Sequence, residues 1–103
     1  MEERLVEIVA GKYPKKYTAI VSNKCTGRTR RVHFGDQRYE QYKDRTKLAL
    51  YAKQNHSNRR RMRNYYSRHS GVRTRKEGLE KEWRRAKKSG RYTAKLLSHV
   101  YLW

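Results

Sequence analysis

KYTAIVSNKCTGRTRRVHFGDQRYEQYKD, from Lys16 to Asp44, decides the fold, because its local signals agree with one another. Tyr17 to Ser22 and Thr29 to Phe34 interleave β-branched and aromatic side chains with polar ones, which predicts two strands. Between them Asn23 and Gly27 bracket Lys24-Cys25-Thr26, and Gly27 is free to take the positive φ that a short hairpin loop with a bulge requires. In the expected hairpin Ile20, Val32 and Phe34 share one apolar face, while Arg31 and His33 alternate to the other. Gly35 then permits a sharp change of direction, and Asp36 is placed to accept hydrogen bonds from the turn that follows. Tyr39 and Tyr42 lie three apart and are expected on one side of a short helix that covers an end of the hairpin.

The same stretch carries carboxylates at Asp36, Glu40 and Asp44, four apart, a spacing that raises a metal-dependent nuclease. Arg38, Lys43 and Arg45 are close enough to neutralise these acids as ordinary surface pairs, and three acids alone do not make a two-metal site. The four histidines, His33, His56, His69 and His99, show no spacing that pairs them with an acid or a cysteine in a metal or catalytic pattern. No phosphate-cradling glycine loop and no nucleophile elbow occurs. The expectation is a non-enzymatic protein without cofactor or metal.

Outward from the hairpin, residues 1–12 crowd Leu5, Val6, Ile8 and Val9 into five positions before Gly11. This segment is too short for a stable helix of its own and reads as a third strand or as an apolar arm toward another subunit. Pro14 separates it from the hairpin, so residues 13–103 form the single small domain. From Arg45 to Lys76 the composition changes to eleven basic residues and no acid. Thr46 is a plausible cap for a helix over 47–54, in which Leu48, Tyr51 and Ala52 follow helical spacing. Ser57 can cap a second helix over about 58–69, ending near Gly71. On it Met62, Tyr65, Tyr66 and His69 form an aromatic face, either the core side of an amphipathic helix or a stacking platform for nucleobases.

A third helix is expected over about 76–88, with Leu79, Trp83 and Ala86 on one stripe and the acid-before-base pairs Glu77–Lys81 and Glu80–Arg84 outside. The closing TAKLLSHVYLW starts with the possible cap Thr93. Its Leu96, Leu97, Val100, Tyr101, Leu102 and Trp103 are too apolar to stay in water, so the segment packs over the hairpin or docks on a partner. The expected fold is therefore α+β, a small β-hairpin, three-stranded if residues 1–12 add to it, packed with three or four short helices.

Size and charge bound the function. A chain of 103 residues with 35% apolar content can bury only a small core, which speaks against a multi-domain enzyme. Twenty-eight lysines and arginines against nine acids give a formal charge of +19, and such self-repulsion calls for a polyanionic or acidic partner. Nucleic acid, an anionic membrane face and the acidic surface of another protein all qualify. No apolar run is long enough to span a bilayer, and Glu2, Glu3 and Glu7 stand where a signal peptide would be positive. Cys25 is the single cysteine, so no internal disulfide is possible and a reducing compartment is expected. The candidate partner or phosphate contacts are Arg59, Arg60, Arg61, Arg63, Arg68, Arg73 and Arg75. The candidate apolar docking residues are Leu96, Leu97, Val100, Tyr101 and Trp103.

The hairpin ending in His33-Phe34-Gly35, the following Tyr39, Tyr42 and Asp44, the segment RNYYSRHSG with Arg68-His69, and the closing Leu102-Trp103 together resemble the small basic proteins of large nucleocytoplasmic DNA viruses, chloroviruses and their relatives among them. The resemblance covers roughly residues 13–103. It implies a viral setting, synthesis in the host-cell cytoplasm and a place in the virion, and it implies no activity. Two expectations follow within that setting. One is a minor capsid or cement protein that binds acidic surfaces of other capsid proteins, the major capsid protein first among them, with contact to a membrane surface left open. The other is a sequence-nonspecific DNA-binding or genome-condensing protein. The caps and amphipathic stripes along the chain favour the structural role over a disordered condensing tail.

Overall fold

A computed structural model describes all residues, 1–103, as an α+β fold. Strands β1 (Glu3–Ala10), β2 (Lys15–Asn23) and β3 (Thr29–Asp36) form an antiparallel sheet in the order β1-β2-β3. The β2–β3 turn closes as its sequence predicts. Asn23 Oδ1 accepts hydrogen bonds from the backbone of Cys25 and Thr26 at 2.9 Å, and Gly27 takes φ +73°. The apolar segment at residues 3–10 is the third strand rather than a free arm.

Register decides which face is buried. Tyr17 lies opposite Phe34, Ala19 opposite Val32 and Val21 opposite Arg30, and directly opposed residues of an antiparallel pair share a face. The burial of Val32 and Phe34 therefore selects Tyr17, Ala19 and Val21, all fully buried. Ile20 lies opposite Arg31 on the outer face, so its expected place beside Val32 and Phe34 is corrected by one residue of register. In β1, Leu5 and Ile8 face Val21 and Ala19, and an irregularity between Leu5 and Glu7 leaves Val6 unpaired and 49% exposed. Such a bulge on an edge strand discourages pairing with another chain.

Buried Glu3 ties the sheet to the helical layer. Its carboxylate accepts both Nε and Nη2 of Arg30, at 2.6 and 2.8 Å, and the backbone N–H of Tyr92 at 2.8 Å. Hydrogen bonding from Arg30 holds its pKa below the usual carboxylate range against the opposing effect of burial.

Helix α1 (Arg59–Ser70) is capped by Asn58, whose side chain accepts from the backbone of Arg60 and Arg61, one residue later than the expected Ser57 cap. Gly71 closes it in the left-handed conformation. Helix α2 (Arg75–Ser89) starts on Thr74 and stops at Gly90, and the two-turn α3 (Ala94–Tyr101) starts on Thr93. The expected three or four helices thus reduce to two long ones, α1 and α2, with the short α3 closing the core.

The helix expected over 47–54 does not form, and only one 3-10 turn exists there, at Ala52–Gln54. Thr46 does not cap a helix; its hydroxyl donates to buried Asp44 at 2.6 Å and accepts from the backbone of Ala49, which itself takes φ +47°. Local side-chain acceptors here outcompete the helical ladder. Tyr39 and Tyr42 share no helix either. Tyr42 sets its edge against His56 at 5.9 Å, and Tyr39 is 66% exposed.

The core sits between the sheet and α3. Leu97 and Leu102 pack onto Tyr17, Ala19, Val21, Val32 and Phe34, ringed by Leu5, Ile8, Tyr51, Tyr92, Tyr101 and Trp103. Leu96 is buried as well. The apolar C-terminal segment has therefore docked on its own sheet, and Leu96 and Leu97 offer nothing to a partner. Helices α1 and α2 meet where Gly78 lets the Tyr66 ring lie against the α2 backbone; a Cβ at Gly78 would stand 2.4 Å from Tyr66 Cδ1. Of the α2 stripe only Ala86 is buried, while Leu79 and Trp83 stay half-exposed. Lys81 does not pair with Glu77 but donates to the carbonyl of Ser70 at 2.6 Å, near the C-terminus of α1.

Candidate nucleic-acid interface

The arginines singled out in the sequence are exposed with one exception. Arg59, Arg60, Arg61, Arg63 and Arg68 are exposed on α1, and Arg73 is exposed in the connection to α2. Arg75 is half-buried and donates to the carbonyl of Val100 at 3.3 Å, so it is a strap between α2 and α3 rather than a surface contact. Arg61 is paired with Glu40 at 2.8 Å, whereas Arg59, Arg60, Arg63, Arg68 and Arg73 form no ion pair. The remaining ion pairs are Arg30–Glu3, Arg38–Asp36 and Arg85–Glu82. Most of the 28 cationic side chains are thus uncompensated.

The aromatic face of α1 is the core side. Tyr66 is fully buried and its hydroxyl donates to the carbonyl of His99 at 3.0 Å. Tyr65 stacks on Trp103, with ring centroids 4.3 Å apart and 4° between planes. Neither ring of α1 is a free platform.

A cleft of about 810 Å³ lies between the end of β3, α1 and the start of α3. Phe34, Leu102, Tyr65 and Trp103 give it an apolar, aromatic floor. Lys15, Arg68 and Lys95 stand around it without carboxylate partners, and its two acids, Asp36 and Glu40, are held by Arg38 and Arg61. Burial lowers the pKa of His69 in the wall, and the neighbouring charges of Arg68 and Lys95 lower it further, as a positive field requires. Lys15, Asn64, Lys95 and Ser98 were not legible as site residues. Lys15 at the start of β2, Asn64 within α1 and Lys95 and Ser98 within α3 are isolated polar positions, and the packing of α3 against β3 makes them line one cleft.

Beneath the cleft mouth lies a buried polar cluster. Lys16 is buried and donates to the carbonyl of Tyr39 at 2.7 Å and to Gln41 Oε1. Burial pulls its pKa down to about 8, partly offset by Asp44, Asp36 and Glu40. Gln41 donates to Asn55 Oδ1, which also accepts the backbone N–H of Asp44 at 2.7 Å. Asp44 accepts from Tyr17 Oη at 2.5 Å, from the backbone N–H and hydroxyl of Thr46, and from the backbone N–H of Tyr51. The three acids considered for a metal centre have thus separated: Asp36 and Glu40 pair with arginines, and Asp44 organises the 37–57 loop. No three His, Cys, Asp or Glu side chains converge.

A second buried network links the helices. Ser70 Oγ donates to Glu82 Oε1 at 3.2 Å and stands 2.7 Å from His99 Nε2, while His99 Nδ1 stands 2.8 Å from Tyr65 Oη. With the Ser70 proton given to Glu82, Nε2 of His99 carries its proton toward Ser70 and Nδ1 accepts from Tyr65. The run is Tyr65 to His99 to Ser70 to Glu82, with no carboxylate on Nδ1 to support a base and with Ser70 buried. It joins α1, α2 and α3 rather than activating a nucleophile. The partners lie 12 to 34 residues apart in the chain, so no local spacing announced them.

No helix is long and apolar enough to cross a membrane. No protein family, no curated protein and no solved structure matches the chain.

Proposed function

We propose that the protein is a non-enzymatic viral protein that binds nucleic acid without reading its sequence, through phosphate contacts from its arginine-rich exterior. One observation carries this reading. β1 pairs in the sheet and the C-terminal segment packs into the core, while most of the 28 lysines and arginines have no acid partner, only four arginines forming ion pairs. Phosphate contacts of this kind position a protein on nucleic acid and supply salt-dependent affinity. The viral setting rests on the resemblance carried by His33-Phe34-Gly35, Arg68-His69 and Leu102-Trp103.

A second reading, a minor capsid or cement component on acidic surfaces of other capsid proteins, is favoured by the outer side of α2. There Leu79 and Trp83 lie open between Lys76, Arg84 and Lys87. That pattern suits an acidic surface with apolar side chains.

Fluorescence anisotropy with labelled DNA of two unrelated sequences tests the leading reading. Equal affinities are expected, with a log–log salt slope of about −4 or steeper, since each phosphate neutralised contributes about −0.7 to −0.9. Absence of binding at low salt, or a slope near zero, would refute it.

A further inference from the structure

Three of the four histidines meet on one aromatic pair. The rings of Tyr65 and Trp103 stack at 4.3 Å, His56 lies 5.3 Å from Trp103, and His69 and His99 lie 4.5 and 5.1 Å from Tyr65. We propose that this cluster is an acid-operated latch, which holds the C-terminal segment 94–103 against α1 while its histidines are neutral and releases that segment when they are charged.

The three rings come from the 37–57 loop, α1 and α3, so charging them sets those parts against one another. Histidine is the side chain whose ordinary titration falls in mildly acid solution. His99 is fully buried, and both its nitrogens are engaged in the neutral ring, Nε2 with Ser70 and Nδ1 with the Tyr65 hydroxyl. His56 is half-buried. Its Nδ1 accepts the backbone N–H of Asn58, the cap of α1, at 2.9 Å, and its Nε2 is buried without a partner. A proton added to Nδ1 would meet that N–H and find no acceptor there. His69 is exposed, and its charge would stand on the Tyr65 ring.

Nothing nearby balances the new charges. His99 faces His69 of α1, Arg75 of α2 and Lys95 of its own helix, and its acid contact, Glu82, runs through the Ser70 hydroxyl. His69 faces Arg68 and Lys95. His56 faces Arg61, and the acid beside it, Glu40, is already paired with Arg61. Tyr42 and Tyr66 complete the walls with neutral rings, 5.9 Å from His56 and 4.7 Å from His99. Trp103 is held to α1 and the loop through its ring, since its backbone N–H donates to Ser98 of its own segment at 3.1 Å. Packing of Leu97 and Leu102 on the sheet keeps the latch closed at neutral pH.

A histidine that is neutral when buried and free to take a proton when hydrated favours the open form as pH falls. Burial and the charges around it bring the pKa of His99 down to about 4. Between pH 7 and pH 5 this residue alone therefore raises the open population about 20-fold. His56 and His69, shifted in the same direction, add to the effect.

The test uses the full chain with Trp83→Phe, which removes the one other tryptophan, packed against Tyr92 outside the cluster, and leaves Trp103 as reporter. Trp103 emission and its quenching by acrylamide are followed through an acid titration beside far-UV circular dichroism. Emission is expected to move to longer wavelength, and quenching to rise, at a higher pH than the loss of the helix signal, because a local opening costs less than unfolding. Nitrogen chemical shifts of the unaltered protein are expected to place histidine titration at that same pH. Emission constant down to the onset of unfolding would overturn the latch. So would emission and circular dichroism changing together, or histidines that titrate apart from the emission change.

Discussion

Asp44→Ala is expected to destabilise the fold by about 3 to 5 kcal/mol, because it leaves several buried donors without an acceptor at once. The Asp44 carboxylate accepts from the Tyr17 hydroxyl at the centre of the core, from the backbone and hydroxyl of Thr46, and from the backbone of Tyr51. It also lies near buried Lys16, whose charge it helps to stabilise. Tyr17 relays the effect further, since its hydroxyl accepts the backbone N–H of Leu50 at 2.9 Å. The loop from 37 to 57 has one 3-10 turn and no longer helix or strand, so these bonds are what shape it. A domain this small has a total stability toward the low end of about 5 to 15 kcal/mol, and the variant should be largely unfolded at physiological temperature. Urea denaturation followed by circular dichroism measures the loss. A change below about 1 kcal/mol would mean that Asp44 is not the organising acceptor of this loop.

Acid is expected to weaken the protein well before its carboxylates protonate. His99 is fully buried, and burial, with the nearby charges of His69, Lys95 and Arg75, brings its pKa down to about 4. In the unfolded chain an ordinary histidine gains its proton near pH 6.5. Between those values the unfolded state binds the extra proton and the folded state does not, so stability falls as pH falls, by about 1.4 kcal/mol per unit. From pH 6.5 to pH 5 the expected loss is about 2 kcal/mol, rising to about 3 kcal/mol near pH 4. Glu3 and Asp44, whose pKa values are lowered in the fold, add their own losses only below the ordinary carboxylate range. Urea midpoints at pH 7 and pH 5 read the effect. Nitrogen chemical shifts of His99 check its cause, with the proton expected on Nε2. A midpoint unchanged over this range would show that His99 is charged in the fold or exchanges with solvent.

How far the sequence could be read depended on the range of the interaction. The β2–β3 hairpin, the cap at Thr93 and the stop at Gly71 were legible, because each is set within a few residues by backbone geometry and side-chain hydrogen bonds, whereas the Thr74 cap of α2 was passed over as part of a polar connection. The facing of Ile20 was misjudged, since which alternate positions of β2 turn inward depends on pairing with Val32 and Phe34 across the turn. The helix expected over 47–54 failed because Thr46 answers to Asp44 rather than to the residues after it, and spacing alone cannot show that. The arginines of α1 were legible from charge density. Lys15, Asn64, Lys95 and Ser98 were not, since the cleft exists only once α3 has packed against β3.

On the proposed viral setting, layer-by-layer fractionation of the purified particle, with mass spectrometry of each layer, tests the central claim most directly. If phosphate is the partner, the protein stays with the genome after the shell is removed and is released by nuclease or by high salt. If it leaves with the shell in a fixed ratio to the major capsid protein, the nucleic-acid reading fails. The open Leu79 and Trp83 surface of α2 then becomes the contact to pursue.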